Sequence, residues 1–525
     1  MLGLELKRRV AAAISQRDFR LADELCHQAD GRLASADLSL IRGAVHAARG
    51  DTGSACDALA QAHREQPERG DIAYNYGVVL QQAGRLAEAV EAWKKATTAA
   101  PQNAAAWVNL ALAAQQLGDT QIARSAYRNG LKHHPTQRDL LYNCANLLFR
   151  DGETGESEAH YQTLLKSYPA DAGALINYGL LLKTLGRFVE AEECYRQAIA
   201  LGDGGHAALA RFNLSHLLLQ QGNWRDGFAA YESRLMLADS VAAPWGLKPW
   251  TPALPKGSSV LLWNDQGIGD AIMFLRFAPL LAQQGYRLFA FVQDALKTLA
   301  ATARGIEGVF GPTDEPEHFD ASLPLCSLPP ILGLSTIDAA HEAYLSSPDE
   351  AVIRLPKRLE HATRIGIVWA GNPNHKNDAQ RSMQLRDFAP LLNMAGVEWY
   401  SLQVGDRGSE LAASPYRDRI CDLAPVLKDF AHTASVMRGL DLVISVDSAP
   451  AHLAGALAVP VWVLLPYVEC DWRWQSGGSG TLWYPTMRLY RQRHIGGWSA
   501  TVGDVLTDLQ AHCGASGAPA PSRPL

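Results

Sequence analysis

The pattern of apolar and polar positions changes character near residue 240. Before that point, small and apolar residues return at a fixed long period. Gly50, Gly84, Gly118, Gly152 and Gly186 lie 34 residues apart without a slip, and Pro67, Pro101, Pro135 and Pro169 keep the same step. Between them Ala55, Ala89, Ala123 and Ala191 hold one register, and Trp93, Tyr127, Tyr161 and Tyr195 hold another. A repeat of this length predicts stacked supersecondary units rather than one closed core. The periodic glycines mark turns and the prolines mark helix ends. A further unit follows with a two-residue insertion, marked by Asn213 and Gly222, and residues 1–37 read as a degenerate helical cap.

After residue 240 the long period stops. Residues 241–257 are rich in Pro and Trp and predict a semi-rigid connector. Short apolar runs then alternate with helical stretches. Strands are expected at 259–264, 286–292 and 309–311, and again at 364–371, 398–404, 441–447 and 459–465, with helices at 429–440 and 450–457 in the second set. Strands alternating with helices imply parallel, doubly wound sheets. The chain therefore divides into repeats over 1–240, a first α/β lobe over 258–355, a second over 360–510, and an aperiodic tail over 511–525 that predicts disorder.

Composition narrows the class. Over 525 residues, 47% hydrophobic and 19% charged content excludes a wholly disordered chain and suffices for two or three cores. The net charge of −6 leaves no basic excess, so a nucleic-acid partner is not expected. The eight cysteines are scattered without a C-x-x-C pair, which argues against a zinc site or a secreted disulfide framework and suits a reducing compartment. The first residues carry charges where a secretory signal would need its apolar run. The most apolar long segment, 442–468, is broken by Asp447, Pro450, His452 and Pro460, so no membrane span is expected. A cytoplasmic location is the expectation.

The repeat pattern over about 38–240 resembles the tetratricopeptide repeat. That resemblance implies units of two antiparallel helices, with glycine in the turn between them, small residues where they approach and proline where the second one ends, stacked into a curved groove able to hold an extended polypeptide. Asn75, Asn109, Asn143 and Asn177 recur in one register of the first helix of each unit, and Asn213 holds the equivalent place after the insertion. Such a ladder of amides can hydrogen-bond a bound backbone without reading its sequence. It is equally able to bond between neighbouring units. The O-linked N-acetylglucosamine transferases that glycosylate proteins carry a similar ladder, and the domain order is similar to theirs.

Three segments of the second half carry candidate chemistry. In ISVDSAPAHLAGAL (444–457) a buried strand ends at Asp447 and a helix begins at once. Its first N–H groups, at Ala451 and His452, and its dipole would face an anion, with Ser448 and His452 as extra donors. In NDQGIGDA (264–271) Gly267 and Gly269 allow a tight turn and close approach, and Asp270 stands at a helix start, where it can be a cap or a general base. In WAGNPNHKNDAQRSM (369–383) Lys376 and Arg381 are the cations able to neutralise a diphosphate, and the residues do not say which of them does so. Gln403, at the end of the next strand, is placed to meet a base or ribose. The aromatic run 470–475 can shape a sugar pocket or simply pack. No D-x-D stands in a metal-binding context, and no P-loop, H-E-x-x-H or G-x-S-x-G occurs, so no metal and no prosthetic group is expected.

The Asp447–Leu457 element resembles the D-[ST]-x-x-x-H-L-x-x-A-L segment of bacterial heptosyltransferases, where it holds the sugar nucleotide. Their Gly-Asp turn resembles Gly269–Asp270, which implies that Asp270 is the catalytic base. The family's Lys-Trp-Pro is absent, with Arg381, Ser382 and Met383 near its place, and this leaves the donor sugar open. The fold class expected is an N-terminal α-solenoid of tetratricopeptide repeats followed by a GT-B pair of doubly wound α/β lobes. The implied activity is inverting, metal-independent transfer of a sugar from a nucleotide-diphosphate donor, UDP-GlcNAc-like or ADP-heptose-like, to Ser or Thr of a flagellin- or adhesin-like protein held by the repeats. The alternatives are a repeat scaffold with an inactive transferase domain, or a heptosyltransferase acting on a surface glycan.

Overall fold

The structure, a computed structural model, describes residues 2–202, 204–336, 342–468 and 470–516. The chain forms two compact units, Met1–Tyr178 and Gly179–Leu525.

The first unit is a stack of helical hairpins. A leading pair, Leu2–Ser15 and Phe19–Ala29, precedes four regular ones: Ser35–Arg49 with Thr52–Glu65, Gly70–Gln82 with Leu86–Ala99, Ala104–Gln116 with Thr120–His133, and Arg138–Arg150 with Thr154–Ser167. The periodic glycines sit where the sequence placed them. Gly84 adopts φ 74°, its N–H reaches the Gln81 carbonyl at 3.0 Å, and Arg85 N–H reaches Leu80 at 2.9 Å, so the first helix closes on a left-handed turn. Asp51 and Asp119 then cap the second helices, accepting from the N–H of Ser54 and Ile122. Ala89, Ala123, Trp93 and Tyr127 are fully buried between hairpins. Trp93 requires a glycine opposite: a Cβ on Gly77 would lie 2.5 Å from the indole nitrogen, which donates to the Tyr74 carbonyl.

The second unit begins within the repeats. The helix Ala172–Thr184 crosses the division, and Phe188–Ala200, Gly204–Gln220 and Trp224–Tyr231 follow. The period in the sequence runs on to 240, yet compactness divides the chain at 178. The reason is the apolar face of the last hairpin. Leu219, Trp224, Phe228 and Tyr231 share one core with Val260, Leu262 and Phe274 of the first sheet region. The Phe228 ring meets Trp472 edge-on at 5.9 Å, and Trp224 meets Trp483 at 5.6 Å. The connector is packed as expected: Trp245 lies against Phe291, Phe310 and Phe319, and Trp250 N–H donates to the Ser322 carbonyl at 2.8 Å.

Two parallel sheets follow. The first holds β1 (Ser259–Trp263), β2 (Arg287–Phe291), β3 (Ile306–Phe310) and β4 (Ala321–Pro324) in the order β3-β2-β1-β4. The second holds β5 (Thr363–Val368), β6 (Val397–Ser401), β7 (Ile420–Asp422), β8 (Leu442–Val446), β9 (Val461–Leu465) and β10 (Met487–Arg491) in the order β10-β9-β8-β5-β6-β7. β5 and β8 are buried along their whole length, as both-sided cover by helices demands. The pattern of apolar runs found seven strands and missed β4, β7 and β10. β7 has three residues, two of them exposed, and offers no apolar run to detect. The tail read as disordered from 511 is corrected in part, because the helix Trp498–Ser516 continues through it. Residues 517–525 of that tail lie outside the described residues. No helix among the described residues is long and apolar enough to cross a membrane.

Candidate functional site

In a doubly wound sheet the chain leaves its first strand in one direction, then returns to lay strands on the other side. The crevice at the carboxyl ends of the two strands flanking that switch is where ligands bind. Here β1 and β4 flank the switch of the first sheet, and β5 and β8 that of the second. β1 runs into the 264–267 turn and the helix Ile268–Phe274. β5 runs into the 369–383 loop, and β8 into Asp447, Ser448 and the helix Ala449–Ala456. The motifs picked from the sequence therefore stand at both switch points.

The two helices that follow β1 and β8 pack against each other. Gly269 makes this possible: a Cβ there would lie 2.8 Å from Cδ2 of His452. His452 is 7% exposed, its Nδ1 is 3.0 Å from the Tyr484 hydroxyl, and its ring lies 5.2 Å from that of Trp474. Burial, aided by the Arg473 charge, holds its pKa down to about 3, so the imidazole is neutral near pH 7. The neutral ring brings no positive charge to an anion, and only an N–H can be donated to it. Two further expectations at this helix are corrected. The Ala451 N–H is not free, since it donates to the Ser448 carbonyl at 2.9 Å. The Ser448 hydroxyl is within bonding distance of the Val446 carbonyl and the Ser445 hydroxyl, both at 3.2 Å.

Asp270 fills the capping role offered for its position and adds an ion pair to it. One carboxylate oxygen accepts the Gly267 N–H at 2.9 Å and closes the first turn of its helix. The other is ion-paired with Arg473, a residue the sequence reading passed over. Arg473 is 3% exposed and binds both oxygens of Asp471, at 2.9 and 2.8 Å. Burial pushes the Asp270 carboxyl above its ordinary range, against the pull of Arg473. Burial would raise Asp471 too, but there the guanidinium prevails and the carboxyl sits below its ordinary range. Asp447, 9% exposed, is pushed up by burial and by the Asp471 charge, with Arg381 and Arg473 opposing.

The two candidate cations of the 369–383 loop separate. The Lys376 side chain is 90% exposed and pairs with Asp239 at 2.8 Å. Arg381 is 15% exposed and lies over Gly371, where a Cβ would come within 2.9 Å of Nη2. Its Nε lies 3.8 Å from the Asp378 carboxylate and makes no hydrogen bond among the described residues, and its charge acts on Asp447. Gln403 is given a different task from the one expected. Its amide oxygen accepts the N–H of Trp369 and Ala370 at 3.1 and 2.9 Å, and its amide nitrogen donates to the Val404 carbonyl, so it fixes the start of the loop instead of facing a ligand.

The asparagine ladder is uneven. Asn75 donates to the Asp71 carbonyl of its own helix, and Asn177 donates to Tyr142 and Asn146 of the preceding unit, both at 2.9 Å. Asn109 and Asn143 show no side-chain hydrogen bond among the described residues, and both are half-buried. Asn213 stands on Gly204–Gln220, the helix that packs against the Trp472–Trp474 turn carrying Arg473. On the same helix the His216 ring lies 4.4 Å from that of Phe212, tilted by 58°, and burial holds its pKa down to about 3. The sequence signal for Arg473 was present but weak: a lone arginine between two tryptophans, read for its aromatics.

The class that fold and site define is a tetratricopeptide-repeat solenoid followed by a region of parallel sheets and helices. The tetratricopeptide repeat family matches residues 40–104, 108–172, 142–206 and 176–235. Over 337 residues the chain is 26% identical to Protein FlbA of Caulobacter vibrioides, a match that takes in 58% of this chain and 55% of FlbA. The match thus spans about half the length of that relative. Among solved structures, MamA is similar over 32% of this chain and 91% of its own, at 19% identity and a TM-score of 0.30. PilF of Pseudomonas aeruginosa is similar over 38% and 91%, at 18% identity and a TM-score of 0.34. Repeats of this kind are protein-interaction modules, and over 40–235 they point to a peptide partner.

Proposed function

We propose that the α/β region is an inverting glycosyltransferase of the GT-B kind, moving a sugar from a nucleoside-diphosphate donor to Ser or Thr of a protein that the repeats hold. The acceptor would be flagellin- or adhesin-like, and the donor UDP-GlcNAc-like or ADP-heptose-like. One observation supports this above the others: the turns at the switch points of two parallel sheets meet, Gly269 against His452, with a carboxylate on one side and a helix start on the other. Asp270 would take the proton of the acceptor hydroxyl. Arg381, with its unsatisfied Nε, is better placed than Lys376 to meet the leaving diphosphate. The test is a thermal-shift screen of the whole chain against UDP-, ADP-, GDP- and CMP-sugars, followed by mass spectrometry of acceptor candidates.

A second reading has its own support. With His452 neutral, the Ala451 N–H spent on Ser448 and Lys376 at the surface, Arg381 alone is left to bring positive charge to an anion. A scaffold whose α/β region performs no transfer fits that economy. It predicts that no sugar nucleotide raises the melting temperature.

A further inference from the structure

Asp270 and Arg473 come from different sheets. Asp270 follows β1, and Arg473 lies beyond β9, in the turn Trp472–Trp474. The guanidinium is held on every side. Nη1 binds Asp471, Nη2 binds Asp270, Nε lies 2.9 Å from the Met273 sulfur, and the plane rests over the Trp472 ring at 4.3 Å. Asp471 is itself fixed, because it caps the turn by accepting the Arg473 N–H at 2.9 Å. A planar fork can serve two carboxylates in set directions, which an ammonium cannot. Breaking this pair would leave a half-buried carboxylate whose one remaining hydrogen-bond partner among the described residues is the Gly267 N–H.

We propose that Arg473 is a positioning residue: anchored on Asp471, it latches Asp270 across the two sheets and fixes that carboxylate beside the helix Ala449–Ala456. The latch stands on the contacts alone; its use in positioning a base rests on the transferase reading. The charged and titratable groups around Asp270 are Arg473, Asp471, Asp265, Tyr231 and Cys326, with the His452 ring against the neighbouring Gly269.

The latch is tested without any activity. Asp270→Asn and Arg473→Met are made singly and together in the full chain, and unfolding is followed by tryptophan fluorescence. A latch predicts that the double variant loses clearly less than the sum of the single losses. Additive losses overturn it. Arg473→Lys keeps a charge in the core and serves where the methionine variant does not fold; it is expected to couple to Asp270→Asn more weakly than arginine does. Positioning is tested on turnover of the sugar nucleotide that the thermal-shift screen selects. Arg473→Met should lower turnover by about tenfold to a hundredfold while nucleotide affinity changes little. The acid limb of its pH profile should move to higher pH, because the charge that pulls the Asp270 carboxyl down is gone, and Arg473→Lys should move it part of the way back. An unmoved limb, or equal losses in affinity and turnover, overturns the positioning role. If the natural chain turns over none of the four nucleotide sugars, the transferase reading and the positioning role fall together, and the latch is judged by the cycle alone.

Discussion

Replacing Arg234 by methionine should destabilise residues 179–525 by about 3–5 kcal/mol, the cost of leaving one member of a buried ion pair without the other. Arg234 follows the last repeat hairpin, and both it and Asp265 have side chains 1% exposed. Its Nε binds Asp265 at 2.6 Å, Nη2 binds the Ser327 hydroxyl at 2.7 Å, and Nη1 binds Glu232 at 2.6 Å. Without the guanidinium, the Asp265 carboxylate keeps one neutral partner, the Cys326 N–H at 3.3 Å. Eleven of the thirteen tryptophans, all but Trp93 and Trp107, lie in this unit, so urea unfolding followed by indole emission reports on it. With a urea slope of about 3 kcal/mol/M, the midpoint should fall by roughly 1–1.7 M. The double variant Arg234→Met with Asp265→Leu should recover part of that loss, because it buries no unpaired charge. A shift worth under about 1 kcal/mol, or a double variant worse than Arg234→Met alone, would refute the reasoning that the pair ties the last hairpin to the β1–β4 switch point.

Three further outcomes are expected. Asp270→Asn should cut turnover by roughly a hundredfold with donor affinity nearly unchanged, since an amide caps a helix but takes up no proton; near-normal transfer to the acceptor would place the base elsewhere. His452 is held to about 3 against an ordinary value near 6.5, so the stability it brings is complete above pH 6.5 and is lost as pH falls from there toward 3. Two units below 6.5 the loss should reach about 3 kcal/mol, with Asp447 acting in the opposite sense, and His452→Gln should flatten the decline in melting temperature over that range. Asn109→Ala with Asn143→Ala should leave repeat stability within about 0.5 kcal/mol while weakening acceptor binding, whereas Asn177→Ala should cost about 1–2 kcal/mol. Circular dichroism melts and a peptide-binding assay separate the two, and a collapse on removing Asn109 and Asn143 would make them structural.

The repeat half was legible because each of its features is local. A left-handed turn needs Gly84, a close helix approach needs Ala89, and each recurs 34 residues on. The strands buried on both faces were legible as apolar runs, and the strand–helix turns at Asp270 and Asp447 followed from them. What could not be read was anything that depended on distant segments meeting. Nothing near Gln403 in sequence shows that its amide will clamp Trp369 and Ala370, and nothing near Asp270 points to Arg473, 203 residues away. The protonation of His452 belongs to the same class, because burial under Tyr484 and Trp474 sets it. The compactness division at 178 is a third case: the repeats run on past it toward 240 while the packing partner changes.

The charge balance at the switch points decides what can bind there. Asp270, Asp447 and Asp471 bring three carboxylates, Arg381 and Arg473 two guanidinium groups, and His452 brings no charge. Arg473 is spent on Asp270 and Asp471, which leaves Arg381 to answer both Asp447 and any incoming anion. A phosphate charge about 4 Å from an ionised Asp447 would meet a repulsion of about 4 kcal/mol at an effective dielectric constant near 20. Protonating Asp447 removes that repulsion, and its carboxyl is already pushed toward the protonated form. Binding of a nucleoside diphosphate beside Asp447 should therefore take up a proton, and affinity should fall as pH rises through the titration of that group. Calorimetry of the selected nucleotide in two buffers of different ionisation enthalpy measures the uptake. Asp447→Asn should abolish both the uptake and the pH dependence while leaving binding intact. Tight binding with no proton taken up would mean that the phosphates lie away from Asp447, and the helix Ala449–Ala456 would then have no part in holding them.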